Sequence, residues 1–143
     1  MSHKVTLTFT EISHRLKSLH FPDVDWIVGI STGGIVPAAM LAHQLAKPFT
    51  LLHINYRAED NSPRHKEPIL LGDLPHFNTK QRILLVDDVS VSGWTLRFAA
   101  ARLSEHHITS LVLKGKADYV VFPEVEACVN WPWKLESREL PIS

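Results

Sequence analysis

Apolar and polar positions change period along the chain, and those changes predict the elements. Ile12, Leu16 and Leu19 recur at helical spacing, which predicts a short amphipathic helix over residues 10–20. Residues 25–30 read as a strand that ends at Ser31-Thr32-Gly33-Gly34, and a helix follows over about 35–47, with Pro37 tolerated in its first turn. Residues 49–56 form a second strand. Residues 57–68 are polar, with two prolines and mixed charges, and predict a long loop of the kind that is often functional. A short strand over 68–72 precedes a strand over 82–87, a helix over 94–106 and a strand over 108–114. The tail carries Tyr119-Val120-Val121-Phe122 and Val129-Asn130-Trp131-Pro132-Trp133. Strands alternating with helices predict an α/β fold with a mostly parallel sheet covered on both faces.

The most informative stretch is Ile83-Leu84-Leu85-Val86-Asp87-Asp88, followed by Val89-Ser90-Val91-Ser92-Gly93-Trp94-Thr95. An unbroken aliphatic run lacks the alternation of a half-exposed strand and reads as a strand buried on both faces. It ends in two carboxylates at the strand's carboxyl end, where open α/β sheets bind ligands. Ser92, Gly93 and Thr95 stand at the start of the next helix, where backbone N–H groups and the helix dipole favour an anion such as phosphate. Carboxylates repel that phosphate, but they accept hydrogen bonds from sugar hydroxyls or hold a hard cation. The earlier turn Ser31-Thr32-Gly33-Gly34 repeats the logic, because two consecutive glycines let the backbone approach a ligand and present successive N–H groups. Two such loops with an acidic pair between them point to a ligand bearing phosphates at two ends and hydroxyls in the middle.

Composition narrows the class further. Lys plus Arg equals Asp plus Glu, at 15 each, so the overall charge does not point to nucleic acid or to a membrane surface. The nine His are scattered without metal-ligand spacing. One cysteine, Cys128, excludes an internal disulfide and is expected to be a buried small apolar residue. With no signal peptide and no long apolar run, a cytoplasmic single domain over residues 1–143 is the expectation.

The residues now bring a family into view. Asp87-Asp88 with Ser92-Gly93-Trp94-Thr95 resembles the phosphoribosyl pyrophosphate (PRPP) signature of type I phosphoribosyltransferases. The stretch from Gly29 through Ser31-Thr32-Gly33-Gly34 to Ala39 is similar to the pyrophosphate loop of the xanthine-guanine branch, and Trp131-Pro132-Trp133 to that branch's tail. The resemblance implies a type I phosphoribosyltransferase-like α/β fold, a central mostly parallel sheet flanked by helices, with a small C-terminal hood from about residue 115 and a lid over 57–68 rooted at Asn55-Tyr56. It implies Mg²⁺-dependent transfer of 5-phosphoribose from PRPP to a purine-like base, in a homodimer or larger oligomer. Val91, Ser92, Gly93, Trp94 and Thr95 would surround the 5′-phosphate, and Ser31, Thr32, Gly33 and Gly34 would hold the pyrophosphate. Asp87 and Asp88 would meet the ribose as catalytic residues, with Asp88 at the metal, and Lys114, Val129 and Trp133 would face the base.

Three positions depart from the family's pattern. Val91 replaces the carboxylate that moves a proton on the base, a role that typically contributes about 10²–10⁴-fold. Cys128 replaces an aromatic stacking partner, and Thr32 an arginine beside the pyrophosphate. A PRPP- or nucleotide-binding regulatory protein of the same fold is therefore the alternative. Plainer readings also stand: Asp87 and Asp88 as helix-capping carboxylates, Lys114 as a solvated strand end, Trp131 and Trp133 as core or dimer-interface aromatics.

Overall fold

The computed structural model describes residues 4–55 and 67–134. A six-stranded sheet is built from β2 (Trp26–Ser31), β3 (Phe49–Asn55), β4 (Ile69–Leu71), β5 (Arg82–Ser90), β6 (His107–Gly115) and β7 (Tyr119–Val120). Its order is β4-β3-β2-β5-β6-β7, and every neighbouring pair is parallel except β3 with β4. The α/β fold expected from the alternation of strands and helices is thus the fold observed.

The aliphatic run in β5 explains why this strand is central. Leu84 and Val86 point to one face, into a core shared with Ile12 and Leu16 of α1 (Phe9–Ser18) and Leu41 of α2 (Ile35–Leu45). Ile83 and Leu85 point to the other, against Leu96 and Ala99 of α3 (Trp94–Arg102). All four strand residues are fully buried, and each contributes about 1.5–3 kcal/mol relative to exposure. A salt bridge from Arg82 to Asp25, 2.8 Å, ties the start of β5 to the residue before β2.

From β2 the chain passes through α2 to β3 on one side, whereas from β5 it passes through α3 to β6 on the other. Strand order therefore reverses between β2 and β5, which is where open α/β sheets place ligands. The loops after β2 and β5 both emerge there.

Several boundaries differ from those read in the sequence. The strand expected over 82–87 continues to Ser90, so the acidic pair lies inside β5 rather than at its end. The helix expected to reach residue 106 ends at Arg102. There the chain turns back, with the His106 N–H donating to the Leu103 carbonyl at 2.9 Å, and the His106 ring meets Phe77 edge-on. Helix α1 starts at Phe9, fixed by a capping box in which Thr8 Oγ1 accepts the Glu11 N–H and the Glu11 carboxylate accepts the Thr8 N–H. Cys128 is exposed, not buried: its carbonyl accepts the Val5 N–H in a short edge pairing that engages its backbone and leaves its side chain at the surface. Of the expected lid, residues 57–66 lie outside the described residues, as does Tyr56.

The tail returns across the α1 face. Val121, Phe122 and Trp131 join the core there, and β8 (Val129–Asn130) pairs in parallel with β1 (Val5–Thr6). Arg15 on α1 holds the tail through Glu124 at 2.7 Å and the Val121 carbonyl at 2.9 Å. The hydrogen bond from the Arg15 guanidinium holds the Glu124 carboxyl down at about 2. No helix among the described residues is long and apolar enough to cross a membrane.

Candidate functional site

At the reversal point two carboxylates stand side by side inside a strand. Asp87 and Asp88 are each 8% exposed, so neither is an ordinary surface acid. Strand alternation sends them to opposite faces, Asp87 with Leu85 and Asp88 with Val86. Asp87 Oδ1 accepts the Asp88 N–H at 2.8 Å, and Asp88 Oδ1 accepts the Val89 N–H at 2.7 Å. Burial pushes the Asp87 carboxyl well above the usual carboxylate range, the Asp88 charge pushes it the same way, and Lys134 opposes both.

The loop over residues 31–34 packs directly onto this pair. A Cβ added at Gly33 would overlap the Asp88 carboxylate, and one at Gly34 would overlap the Val86 carbonyl while standing 2.7 Å from the Ile30 oxygen. No side chain fits at either position, so the double glycine is required by space. Gly34 N–H donates to Ile30 O at 2.7 Å and Ile35 N–H to Thr32 O at 3.1 Å, which closes the turn into α2. The Ser31–Thr32 peptide is cis. Ser31 Oγ shares a 2.9 Å hydrogen bond with His53 Nδ1 from β3.

The loop into α3 is more open. Val91 and Trp94 are 54% and 39% exposed, and Gly93 adopts a left-handed φ of 82°. Trp94 N–H donates to Ser92 Oγ at 3.2 Å, and Arg97 Nη1 donates to the Ser92 carbonyl at 3.1 Å. Helices α2 and α3 both start at a glycine that lends no side-chain cap, whereas α1 is closed by Thr8 and Glu11. At α3 it is Ser92, one residue further back, that takes the Trp94 N–H, and N–H groups at both helix starts suit an anion.

The expected base-facing residues are spread more widely. Lys114 is half-buried on β6, in register with Val89 of β5. Val129 pairs with Val5, and Trp133 stacks on Trp131 with centroids 5.4 Å apart and planes within 3°. Among the described residues, no hydrogen bond or ion pair joins Lys114, Val129 or Trp133 to the acidic pair. The residue after Trp133 does reach it: Lys134 Nζ lies 3.6 Å from Asp88 Oδ2. Sequence reasoning passed over Lys134, His53 and Arg97. Nothing in their local sequence marks them, because each arrives through tertiary packing or through a turn whose course is not written in spacing. A cavity of about 400 Å³ between α1 and α2, lined by residues such as Lys17, Met40 and His43, belongs to other parts of these helices.

Comparison with known proteins matches this geometry. The profile of the phosphoribosyl transferase domain matches residues 10–128. The bifunctional protein PyrR of Bacillus mycoides (strain KBAB4) is 34% identical over 115 residues, covering 66% of this chain and 64% of PyrR. The chain thus spans less than two thirds of the length of that relative. A purine phosphoribosyltransferase from Pyrococcus horikoshii shares the fold, with a TM-score of 0.74 at 24% identity over 98% of this chain and 97% of that one. So does a Helicobacter pylori xanthine-guanine-hypoxanthine phosphoribosyltransferase, with a TM-score of 0.67 at 14% identity, over 92% and 94% of the two chains. The profile match spans most of the chain, which therefore belongs to the phosphoribosyl transferase domain family.

Proposed function

We propose that this protein transfers 5-phosphoribose from PRPP to a purine-like nitrogenous base, with Mg²⁺, releasing pyrophosphate. The observation that carries this reading is the buried Asp87-Asp88 pair, with the double-glycine turn into α2 packed directly on it and the loop into α3 following the same strand. The N–H groups of residues 91–95 hold the 5′-phosphate, with the hydroxyls of Ser92 and Thr95 as further donors. The backbone of residues 31–34 receives the pyrophosphate, close to β5 because glycine leaves that space open. The carboxyls of Asp87 and Asp88 engage the ribose hydroxyls, and their negative charge complements positive charge that grows on the sugar as the diphosphate leaves. Lys114, Val129 and Trp133 bound the base.

The donor set fits Mg²⁺, which is usually bound through one or two carboxylates with substrate phosphates completing its oxygen shell. Among the described residues the carboxylates available for such an ion are this adjacent pair, with no larger cluster of metal-ligating side chains. Burial raises the Asp87 carboxyl, and a neighbouring cation opposes that shift. Asp88 would hold the ion with Asp87 beside it, and the ion supplies charge neutralisation of the leaving diphosphate.

Val91 favours a second reading. Its exposed isopropyl group stands where a proton-moving carboxylate is expected, and it moves no proton. A PRPP- or nucleotide-binding regulatory protein needs none. The two readings separate when the protein is incubated with PRPP, Mg²⁺ and a panel of purine-like bases while pyrophosphate is measured. Release with at least one base supports transfer. PRPP binding by calorimetry without release under any base supports the regulatory protein; no binding at millimolar PRPP overturns transfer, and no binding of a purine nucleotide either overturns both.

A further inference from the structure

We infer that Lys134 is a specificity-determining residue of the acidic pair: a tethered ammonium that keeps bare divalent cations off Asp88 and favours a cation that arrives on a diphosphate ester. The inference rests on the phosphoribosyl reading of the site and adds a residue that the family resemblance did not supply.

The geometry is specific. One oxygen of Asp88 is committed to the Val89 N–H at 2.7 Å, and the other meets Lys134 Nζ at 3.6 Å. Gly33 covers the carboxylate so closely that no Cβ fits between them. The lysine is delivered by a fixed turn: its N–H donates to the Trp131 carbonyl at 3.1 Å, and the Trp131 ring is buried in the core, 3% exposed. Trp133, stacked parallel on Trp131, closes the same turn. The Lys134 side chain is 49% exposed and that of Asp88 12%, so the pair sits at the mouth of the site, not in its interior.

A charge in this position acts with opposite sign on two ligands. A bare divalent cation approaching Asp88 meets a positive charge within a few ångströms. A divalent cation already chelated by a diphosphate ester carries net negative charge, and the same ammonium attracts it. Lys134 also restores positive charge beside a pyrophosphate loop that carries Thr32.

The test is Lys134→Gln, with Lys134→Arg as the charge-preserving control. Mn²⁺ binding is followed by water-proton relaxation with no sugar phosphate present, and PRPP binding by calorimetry in excess Mg²⁺. For two charges at this range, partly screened by water and salt, Lys134→Gln is expected to raise Mn²⁺ affinity about 3–10-fold. PRPP affinity is expected to fall by a similar factor, with both effects weakening as ionic strength rises. Lys134→Arg keeps both affinities near those of the parent protein. Unchanged Mn²⁺ affinity in Lys134→Gln, or no Mn²⁺ binding by either protein, overturns the inference. Changes of the same sign for both ligands overturn it as well, since they mark a structural effect. Failure of the parent protein to bind PRPP removes the phosphoribosyl reading and leaves the Mn²⁺ result to judge Lys134.

Discussion

The loops at residues 31–34 and 91–95 share one sequence logic and are built by different physics. In the first, glycine is needed for space: Gly33 lies against the Asp88 carboxylate and Gly34 against the Val86 carbonyl. In the second, glycine is needed for conformation: Gly93 takes a φ of 82°, and an added Cβ would meet only the far end of the Arg97 side chain, at 2.8 Å. The first loop is therefore welded to the central strand, while the second stands out with Val91 and Trp94 exposed. Two glycine-bearing turns that look alike in sequence thus tolerate change very differently.

Substitution at Gly34 is the harshest way to break this comparison. Gly34→Ala drives a Cβ into backbone atoms of β2 and β5 that cannot rotate away, and a destabilisation of more than about 3 kcal/mol is expected. Thermal melting would show a fall of roughly 10 °C or more; a change within about 2 °C would mean that the loop is not welded. Gly93→Ala sharpens the contrast. A left-handed non-glycine residue costs about 1–2 kcal/mol, and the Arg97 side chain swings aside, so urea unfolding should show a loss of that size with the fold intact.

The smallest effect concerns the carboxylates that the two loops flank, and its sign is opposite. Because the Asp87 carboxyl is raised above its unfolded value, the folded state holds its proton more tightly. Its unfavourable contribution is absent below the unfolded value, near pH 4, and grows as pH rises through the raised folded value. Asp87→Asn should therefore raise the melting temperature at pH 7 by about 2–5 °C, with the gain vanishing below about pH 4. Melts across that range check it, and a variant less stable than the parent at pH 7 contradicts the assignment. PRPP binding should weaken in the same protein, the usual exchange between stability and a functional buried charge.

How much of this was legible depends on what each residue's partner is. The strand over Ile83, Leu84, Leu85 and Val86 was readable because burial on both faces erases alternation. Its extension to Ser90 was not, because two aspartates look like a strand end and only pairing with β6 shows otherwise. The start of α1 at Phe9 carried a signal, Thr8 followed three residues later by Glu11, that marks a capping box. The end of α3 carried none: no glycine or proline follows Arg102, and the turn forms because Leu103 and His106 pack against the sheet side occupied by Phe77. The glycine loops and the acidic pair were readable as chemistry, since their residue types limit what they can bind. Lys134 was not, because its contact with Asp88 joins the tail to the central strand across the fold.

The two-residue pairing of β1 with β8 has a mechanical consequence. Val5 and Thr6 hold Val129 and Asn130, so the turn that delivers Lys134 is anchored by the opposite end of the sequence. A chain halted before residue 129 already contains every strand of the six-stranded sheet but lacks this clasp. Its closure joins segments separated by nearly the whole polypeptide, the class of contact with the largest loop-closure entropy. Tension applied to either terminus is therefore felt at the mouth of the site.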